Sequence, residues 1–313
     1  MLRVLTRLMF VTACGAMTSL MPLAAIAQSP APATDKITFK QSDAGVAVLI
    51  GGEPFTFLNL GPEWAKPFLS SVRAADGSIV TRAVGDPEDK DHPHHKGIWF
   101  SIDEVNEVKF WAEAGKILNV KVEAVEGNPG RIKLKNHWLG AEELPIVIET
   151  TTISIFPSRL IIYDATFTAA VEKVTFGDTK EGLFGIRIAT TMREKVGGVV
   201  VNAEGKNGTK ECWGRPSKWV DYSGPVGGKT YGVAMMDHPA NFRPSRYHVR
   251  DYGLFSVSPF GEGAYQEDKA KSQPVTLEGG KSLQLRYGLC VHTGDAAEGK
   301  VAAVYEQFLT STK

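Results

Sequence analysis

The chain has 313 residues, and its 35 basic and 35 acidic side chains cancel, which argues against a nucleic-acid or anionic-membrane partner. Glycine accounts for 32 residues; that is above the usual ~7% and, with frequent turns and β-branched runs, favours sheet over helix. No glycine-rich phosphate loop opens a helix, and G-x-S-x-G, C-x-x-C and H-E-x-x-H are all absent, which sets aside the commonest nucleotide-dependent, serine-hydrolase, thioredoxin-like and zincin chemistries.

Residues 1–27 read as an export signal. Arg3 and Arg7 give a basic start, Leu8 to Ala27 carries no charge, and Ala25-Ile26-Ala27 is a small-residue cleavage pattern before Gln28. Two alternatives stand behind it. One is an uncleaved anchor, because about 20 apolar residues span a bilayer; the Pro/Ala/Ser segment 28–35 favours cleavage instead. The other is lipidation at Cys14 in Val11-Thr12-Ala13-Cys14, which ranks second because the apolar run continues well past it. Cleavage leaves 286 residues with 33 basic against 35 acidic groups, a net of about −2. No later stretch is apolar for long enough to span a membrane, so the expected location is periplasmic or secreted. Residues 28–35 read as a flexible leader, and 36–313 as one domain without a low-complexity linker. Of the cysteines past the signal, Cys212 and Cys290 either pair in an oxidising compartment or stay as buried thiols.

Short strand candidates then follow one another. Lys36 to Lys40 and Val46 to Ile50 come first, and Gly51-Gly52 turns into Phe55 to Leu60. Leu69 to Arg73 and Ile79 to Arg82 flank a hairpin turn at Ala75-Asp76-Gly77. Gly97 to Ile102 and Val108 to Trp111 precede four long strands: Ile117 to Val125, Ile132 to Leu139, Ile146 to Phe156 and Leu160 to Thr168. In the third of these, Val147, Glu149, Thr151, Ile153 and Ile155 share one face, and neither face is cleanly apolar. Phe184 to Thr190, Val199 to Asn202, Lys218 to Tyr222, Tyr231 to Met236, Leu254 to Val257 and Leu283 to Val291 complete the set. Only the C-terminus reads as a helix, over 296–309. Asp295 can cap it, and Val301, Val304, Tyr305, Phe308 and Leu309 form the stripe that packs on the outside of a sheet. Well over ten strands with one helix point to a large antiparallel β-sandwich or barrel.

The densest chemistry lies at Asp91-His92-Pro93-His94-His95-Lys96-Gly97-Ile98-Trp99-Phe100, where three of the seven histidines fall within four residues. Imidazole is useful where a proton or a metal is handled near neutral pH. A second segment, Asp237-His238-Pro239, is followed by Asn241, Arg243, His248 and Arg250, and the two segments are expected to meet in one polar site. Each proline lacks the backbone donor a ladder needs, so both read as loops. In an extended segment His92 and His94 share a face while His95 points to the other. Such an H-x-H pair offers two metal nitrogens; zinc needs a third ligand, such as His248 or Glu181, and the sequence supplies no close one. The expectation is therefore no cofactor, with a divalent metal on His92 and His94 as the alternative. Any one of these histidines alone is as well explained by bracing a loop; all three together are not.

Glu181 enters a strand between glycines, where a ligand can approach closely, although a lone strand-end carboxylate is commonly just exposed. Arg187 shares its parity and can pair with it or clamp a substrate oxygen. Asp91 can orient an imidazole or cap the turn. Trp213-Gly214, Trp219 and Asp221-Tyr222-Ser223-Gly224 combine aromatic faces with polar edges, a surface that suits sugars, although aromatics in sheets are more often core. His248 and Arg250 share one face. His137 and His292 read as structural.

Lys66-Pro67-Phe68, the Asp91–Phe100 block, Phe184-Gly185-Ile186-Arg187, Trp213-Gly214, Tyr222-Ser223-Gly224, Asp237-His238-Pro239-Ala240-Asn241 and Tyr252-Gly253-Leu254-Phe255 occur in one order that resembles the bacterial DUF6807 family. That family is often labelled "PmoA family" or methane oxygenase-like; a membrane subunit of such an oxygenase needs spanning segments, and residues after 27 hold none. The family is similar to the galactose-mutarotase-like superfamily of large β-sandwiches that act on carbohydrates, and mutarotases use a histidine acid and a glutamate base on a concave sheet. The resemblance thus implies a supersandwich with one of His94, His95 and His248 as acid and Glu181 as base. Asp91, His92, Arg187, Trp213, Asn241 and Arg250 would surround a small-molecule or oligosaccharide substrate. A metal-dependent hydrolase and a non-catalytic glycan-binding module are the alternatives. For the export signal, N-terminal sequencing of exported protein should begin at or near Gln28; a lipidated Cys14 at the N-terminus would show that the cleavage site is misplaced.

Overall fold

A computed structural model describes Leu2 and residues 36–85, 91–140 and 142–312; apart from Leu2, the expected signal and leader lie outside the described residues. From residue 36 onward the chain forms one compact unit. Two eight-stranded sheets dominate it. The first, edge to edge, runs Ile37–Ser42, Gly45–Ile50, Glu53–Asn59, Phe68–Ser70, Ile98–Phe100, Phe184–Arg187, Leu254–Ser258 and Arg246–Val249. The second runs Val199–Asn202, Trp219–Val226, Lys229–Asp237, Ser282–Thr293, Leu160–Ala169, Pro145–Ile155, Gly130–Leu139 and Lys116–Val125. A small sheet of Val275–Glu278, Lys173–Phe176, Glu104–Val105 and Val108–Lys109 sits beside them. The fold is a large antiparallel β-sandwich with a C-terminal helix, and no described helix is long and apolar enough to cross a membrane.

Side-chain alternation decides what each face of the first sheet does. Ile98, Phe100, Phe184, Ile186, Tyr247, Val249, Phe255 and Val257 are buried in the common core. Phe100 stacks on Tyr163 and Phe167 of the second sheet at 5.7 and 5.6 Å. The opposite face carries a row set by register: Phe68 opposite Trp99, Trp99 opposite Gly185, Gly185 opposite Ser256, and Ser256 opposite His248. The candidate chemistry is therefore mounted on the back of a rigid core layer.

Three sequence expectations change in detail. The mixed face of Pro145–Ile155 is the buried one, because Glu149 does not face water. Its carboxylate accepts hydrogen bonds from Trp138 Nε1 at 2.8 Å, Asn136 Nδ2 at 3.0 Å and Thr151 Oγ1 at 2.5 Å. Three donors compensate a buried carboxylate that burial pushes upward in pKa. The C-terminal helix is Val301–Ser311, starting later than expected. Asp295 instead caps a preceding turn, accepting from the amides of Ala297 and Glu298, and Lys300 at φ 50° separates turn from helix. Its stripe packs as expected, with Val301, Tyr305 and Phe308 on Leu160, Ile162 and Met236. Two helices too short for a periodic signal, Thr209–Cys212 and Glu262–Gln266, stand in loops. Cys212 and Cys290 are buried free thiols.

Phe100 is the aromatic hinge of the sheet interface. Replacing it with alanine should cost about 3–5 kcal/mol, read as a lower denaturation midpoint with the slope unchanged. A loss below about 1 kcal/mol would show that the interface does not rest on this ring.

Candidate functional site

The histidine segment is a turn rather than an extended strand. His92 has φ 45°, and the amide of His95 donates to the carbonyl of His92 at 2.9 Å. The expected pairing of faces is thereby corrected: His92 lies against His95, not beside His94. The two rings are parallel to within 2° at 4.8 Å. The stack continues on both sides, from Tyr252 to His92 at 5.1 Å and from His95 to Trp99 at 5.4 Å. Trp111 closes on Trp99 at 4.9 Å. Gly185 makes room for both indoles, because a Cβ there would meet Trp99 and Trp111 at 2.9 and 3.0 Å.

Two arginines fix this turn. Arg187 donates to both oxygens of Asp91 at 2.7 and 2.9 Å. Arg82 reaches the same carboxylate at 2.7 Å and the carbonyls of His92 and His95 at 2.9 and 2.8 Å. Arg187 is fully buried. It neither pairs with Glu181 nor lies open as a substrate clamp, and its place is behind the histidines. On the other flank Lys66 is buried against the Trp99 ring at 5.7 Å. Lys66 and Lys96 both hold Glu113, at 2.8 and 2.6 Å. Burial lowers Lys66 to about 8.

The environment sets the protonation states. Burial, then the Lys66 charge, lowers His94 to about 4. Burial, with the charges of His94 and His92 behind it, pushes His95 far below the usual imidazole range. His95 Nδ1 is buried without a hydrogen-bond partner. Both rings are neutral at physiological pH. His92 and His94 stand edge to face at 5.9 Å, and among the described residues no group of three histidine, cysteine or acidic side chains is placed to hold a metal.

Across the face from this stack, His248 joins a second set. Arg250 Nε donates to His248 Nε2 at 2.8 Å, and His248 Nδ1 lies 3.1 Å from the Lys180 carbonyl and 3.4 Å from Glu181 Oε2. A donor on Nε2 means that the ring proton sits on Nδ1. Burial, then Arg250, lowers His248 to about 3. Glu181 is 33% exposed, and burial raises its pKa. The charges of Arg250 and His92 both act on Glu181, so the two sets are electrostatic neighbours. Arg250 lies over the Trp213 ring at 5.4 Å. A groove of about 940 Å³ is lined by Lys180, Trp213, Arg250 and Thr209 among others; it lies at the Trp213–Arg250 set, with Lys180 next in sequence to Glu181, and its lining includes none of the stacked histidines.

The second D-H-P segment does not join this site. Asn241 Nδ2 donates to Asp237 and to the Arg286 carbonyl at 2.8 and 3.0 Å, and its oxygen accepts from the Arg286 amide. His238 meets Thr312 at 2.9 Å and the ring of Phe308. The segment ties the end of the second sheet to the C-terminal helix. His292 pairs with the buried Asp221 at 2.8 Å. Sequence reading missed Arg82, Glu113 and Ser256 as parts of this face, and Tyr265, whose ring lies 5.5 Å from Trp213 and whose hydroxyl donates to the Lys180 carbonyl at 2.8 Å; only Lys66 and Tyr252 carried a signal, inside the quoted motifs.

No curated protein matches the chain. Among solved structures, a putative aldose 1-epimerase from Klebsiella pneumoniae is similar at 11% identity and TM-score 0.47, over 85% of this chain and 83% of that one. A galactose mutarotase-like protein from Lactobacillus casei is similar at 10% identity and TM-score 0.43, over 82% of this chain and 100% of its own length. A GH36 alpha-galactosidase from Geobacillus stearothermophilus is similar at 9% identity and TM-score 0.43; 83% of this chain is covered, and it spans 41% of that enzyme's length. The family itself is plain from the sequence, since residues 45–306 match a family of unknown function, and the chain belongs to DUF6807.

Proposed function

We propose that the protein binds a sugar between the histidine stack and the His248–Arg250–Trp213 set and moves protons on it, as a mutarotase, epimerase, lyase or hydrolase does. The observation that carries this reading is Glu181, a partly exposed carboxylate raised by burial beside the His248 N–H. A raised carboxylate accepts and returns protons closer to neutral pH, as a general base or acid must. His94 and His95, being neutral, act as N–H donors to hydroxyl or ring oxygens rather than as imidazolium acids. A neutral donor polarises the bond it faces without first taking up a proton. His248 has both nitrogens engaged, so it positions Glu181 and Arg250. Trp213, which lines the groove, offers aromatic surface to the C–H side of a pyranose.

A non-catalytic glycan-binding module is the second reading, favoured by His248 beside Glu181 having both ring nitrogens engaged by protein groups. We also propose export to the periplasm or medium, on the basic start, uncharged apolar run and Ala25-Ile26-Ala27 of the sequence.

Glu181→Gln should lower turnover on an identified sugar substrate by roughly 100-fold or more, with melting temperature and circular dichroism retained. Full activity in that variant, followed by polarimetry or anomeric NMR, would remove Glu181 from the chemistry; binding by the wild type without turnover would favour the module.

The pH profile separates the assignments. Glu181 works as a base only when ionised, and its pKa is raised, so activity should fall on acidification at a pH above the ordinary carboxylate value of ~4.3. His94 remains neutral down to about 4, so neither it nor His95 should contribute an inflection near ~6.5, where a free imidazole titrates. A limb near ~6.5 that disappears in His94→Gln or His95→Gln would show that an imidazolium is the acid after all.

A further inference from the structure

We infer that the groove beside Glu181 takes a sugar bearing a carboxylate, of the uronic acid type, and that Arg250 is the residue that recognises the acid group. The inference rests on the carbohydrate reading above and narrows its substrate class.

Arg250 differs from the other arginines of this face. Arg187 and Arg82 are bound to Asp91, and Arg246 is bound to Glu262 at 2.9 and 2.5 Å. Arg250 makes no ion pair with a carboxylate among the described residues, yet it is held in place. Its Nε is fixed on His248 Nε2, whose other nitrogen faces the Lys180 carbonyl. Its guanidinium carbon rests over the Trp213 ring. Orienting a guanidinium by its Nε and one face leaves the two terminal nitrogens as the free edge, and Arg250 lines the groove.

Two further features agree. Lys180 lines the same groove, and no ion pair engages its ammonium group among the described residues. Trp213 also lines the groove and has its Nε1 buried without an acceptor. A planar guanidinium fork matches a planar carboxylate with two parallel hydrogen bonds. Glu194, Glu211, Asp251 and Glu267 stand around the groove as well. They would repel a dianionic phosphate more than a singly charged carboxylate, and so they favour the uronate over a sugar phosphate. Glu194 is already engaged by the amide and hydroxyl of Thr209, and Lys210 adds a third cation to the lining beside Arg250 and Lys180.

The test is ligand-observed NMR or calorimetry on the full chain with galacturonate, glucuronate, galactose, glucose and glucose 6-phosphate. The wild type should bind a uronate about tenfold or more tighter than its neutral counterpart, in line with a charge-assisted pair. That ratio should fall to about twofold in Arg250→Gln and part of the way in Arg250→Lys, which keeps the charge but loses the fork. If Arg250→Gln fails to fold, Lys180→Gln should lower the same ratio by about threefold. Equal binding of uronate and neutral sugar overturns the acid-sugar inference and leaves the carbohydrate reading standing. Preference for glucose 6-phosphate overturns the carboxylate assignment. Binding of no sugar, neutral or acidic, overturns both.

Discussion

The Asp91 carboxylate stands between two guanidinium groups, Arg82 and Arg187, that the sheet holds almost out of water. Two such cations cannot be buried side by side without a counter-charge, because desolvation and mutual repulsion add. Asp91 supplies the charge, and it is the first residue of the histidine turn. The carbonyls of Asp91, His92 and His95 also accept from Arg82. The turn is thus clamped at its start and along its backbone by Arg187 of the sheet and by Arg82, whose amide is bonded to the Arg187 carbonyl. The parallel stack of His92 on His95 follows from that clamp, and so does the direction in which His94 faces the Lys66 side.

Desolvation governs the chemistry as much as geometry does. It acts in opposite directions on the two kinds of group, lowering imidazoles and raising the carboxylate. His94, His95 and His248 are held neutral, and the Glu181 carboxyl is pushed upward from its ordinary value. Under the proposed reading, the division of labour differs from a histidine acid opposite a glutamate base. His248 answers to Arg250 and Lys180 before it can answer to a substrate. Neutral His94 and His95 suit hydrogen bonding to sugar hydroxyls, and this suits both a catalytic site and a binding one.

Much of the architecture was legible because alternation and turn chemistry are local. The strand pattern, the apolar stripe of the C-terminal helix and the special status of residues 91–100 all come from short windows. What stayed hidden depends on distant partners. Nothing near Glu149 announces that Trp138 and Asn136 will meet its carboxylate, so its strand looked two-faced. The Asp237–Asn241 segment mimics the first D-H-P segment in sequence, yet its partners, Arg286 and Thr312, turn it into a brace for the helix. Arg82 sits in an ordinary strand context, and only the tertiary fold shows it gripping the turn. Positive φ at His92 likewise could not be read from the proline that follows it, and it is what exchanged the expected His92–His94 face for the His92–His95 stack.

The close approach of Trp99 and Trp111 over Gly185 has an optical consequence. Two indoles 4.9 Å apart and tilted by 57° have coupled transition dipoles, so they contribute a split circular dichroism band rather than two independent signals. His95 lies against both rings, stacked on Trp99 and edge-on to Trp111. Any event that moves the histidine turn, whether a ligand settling on it or a proton arriving, alters the coupling and the emission of that pair. The site therefore carries its own chromophore, reporting from beneath the histidines without a label.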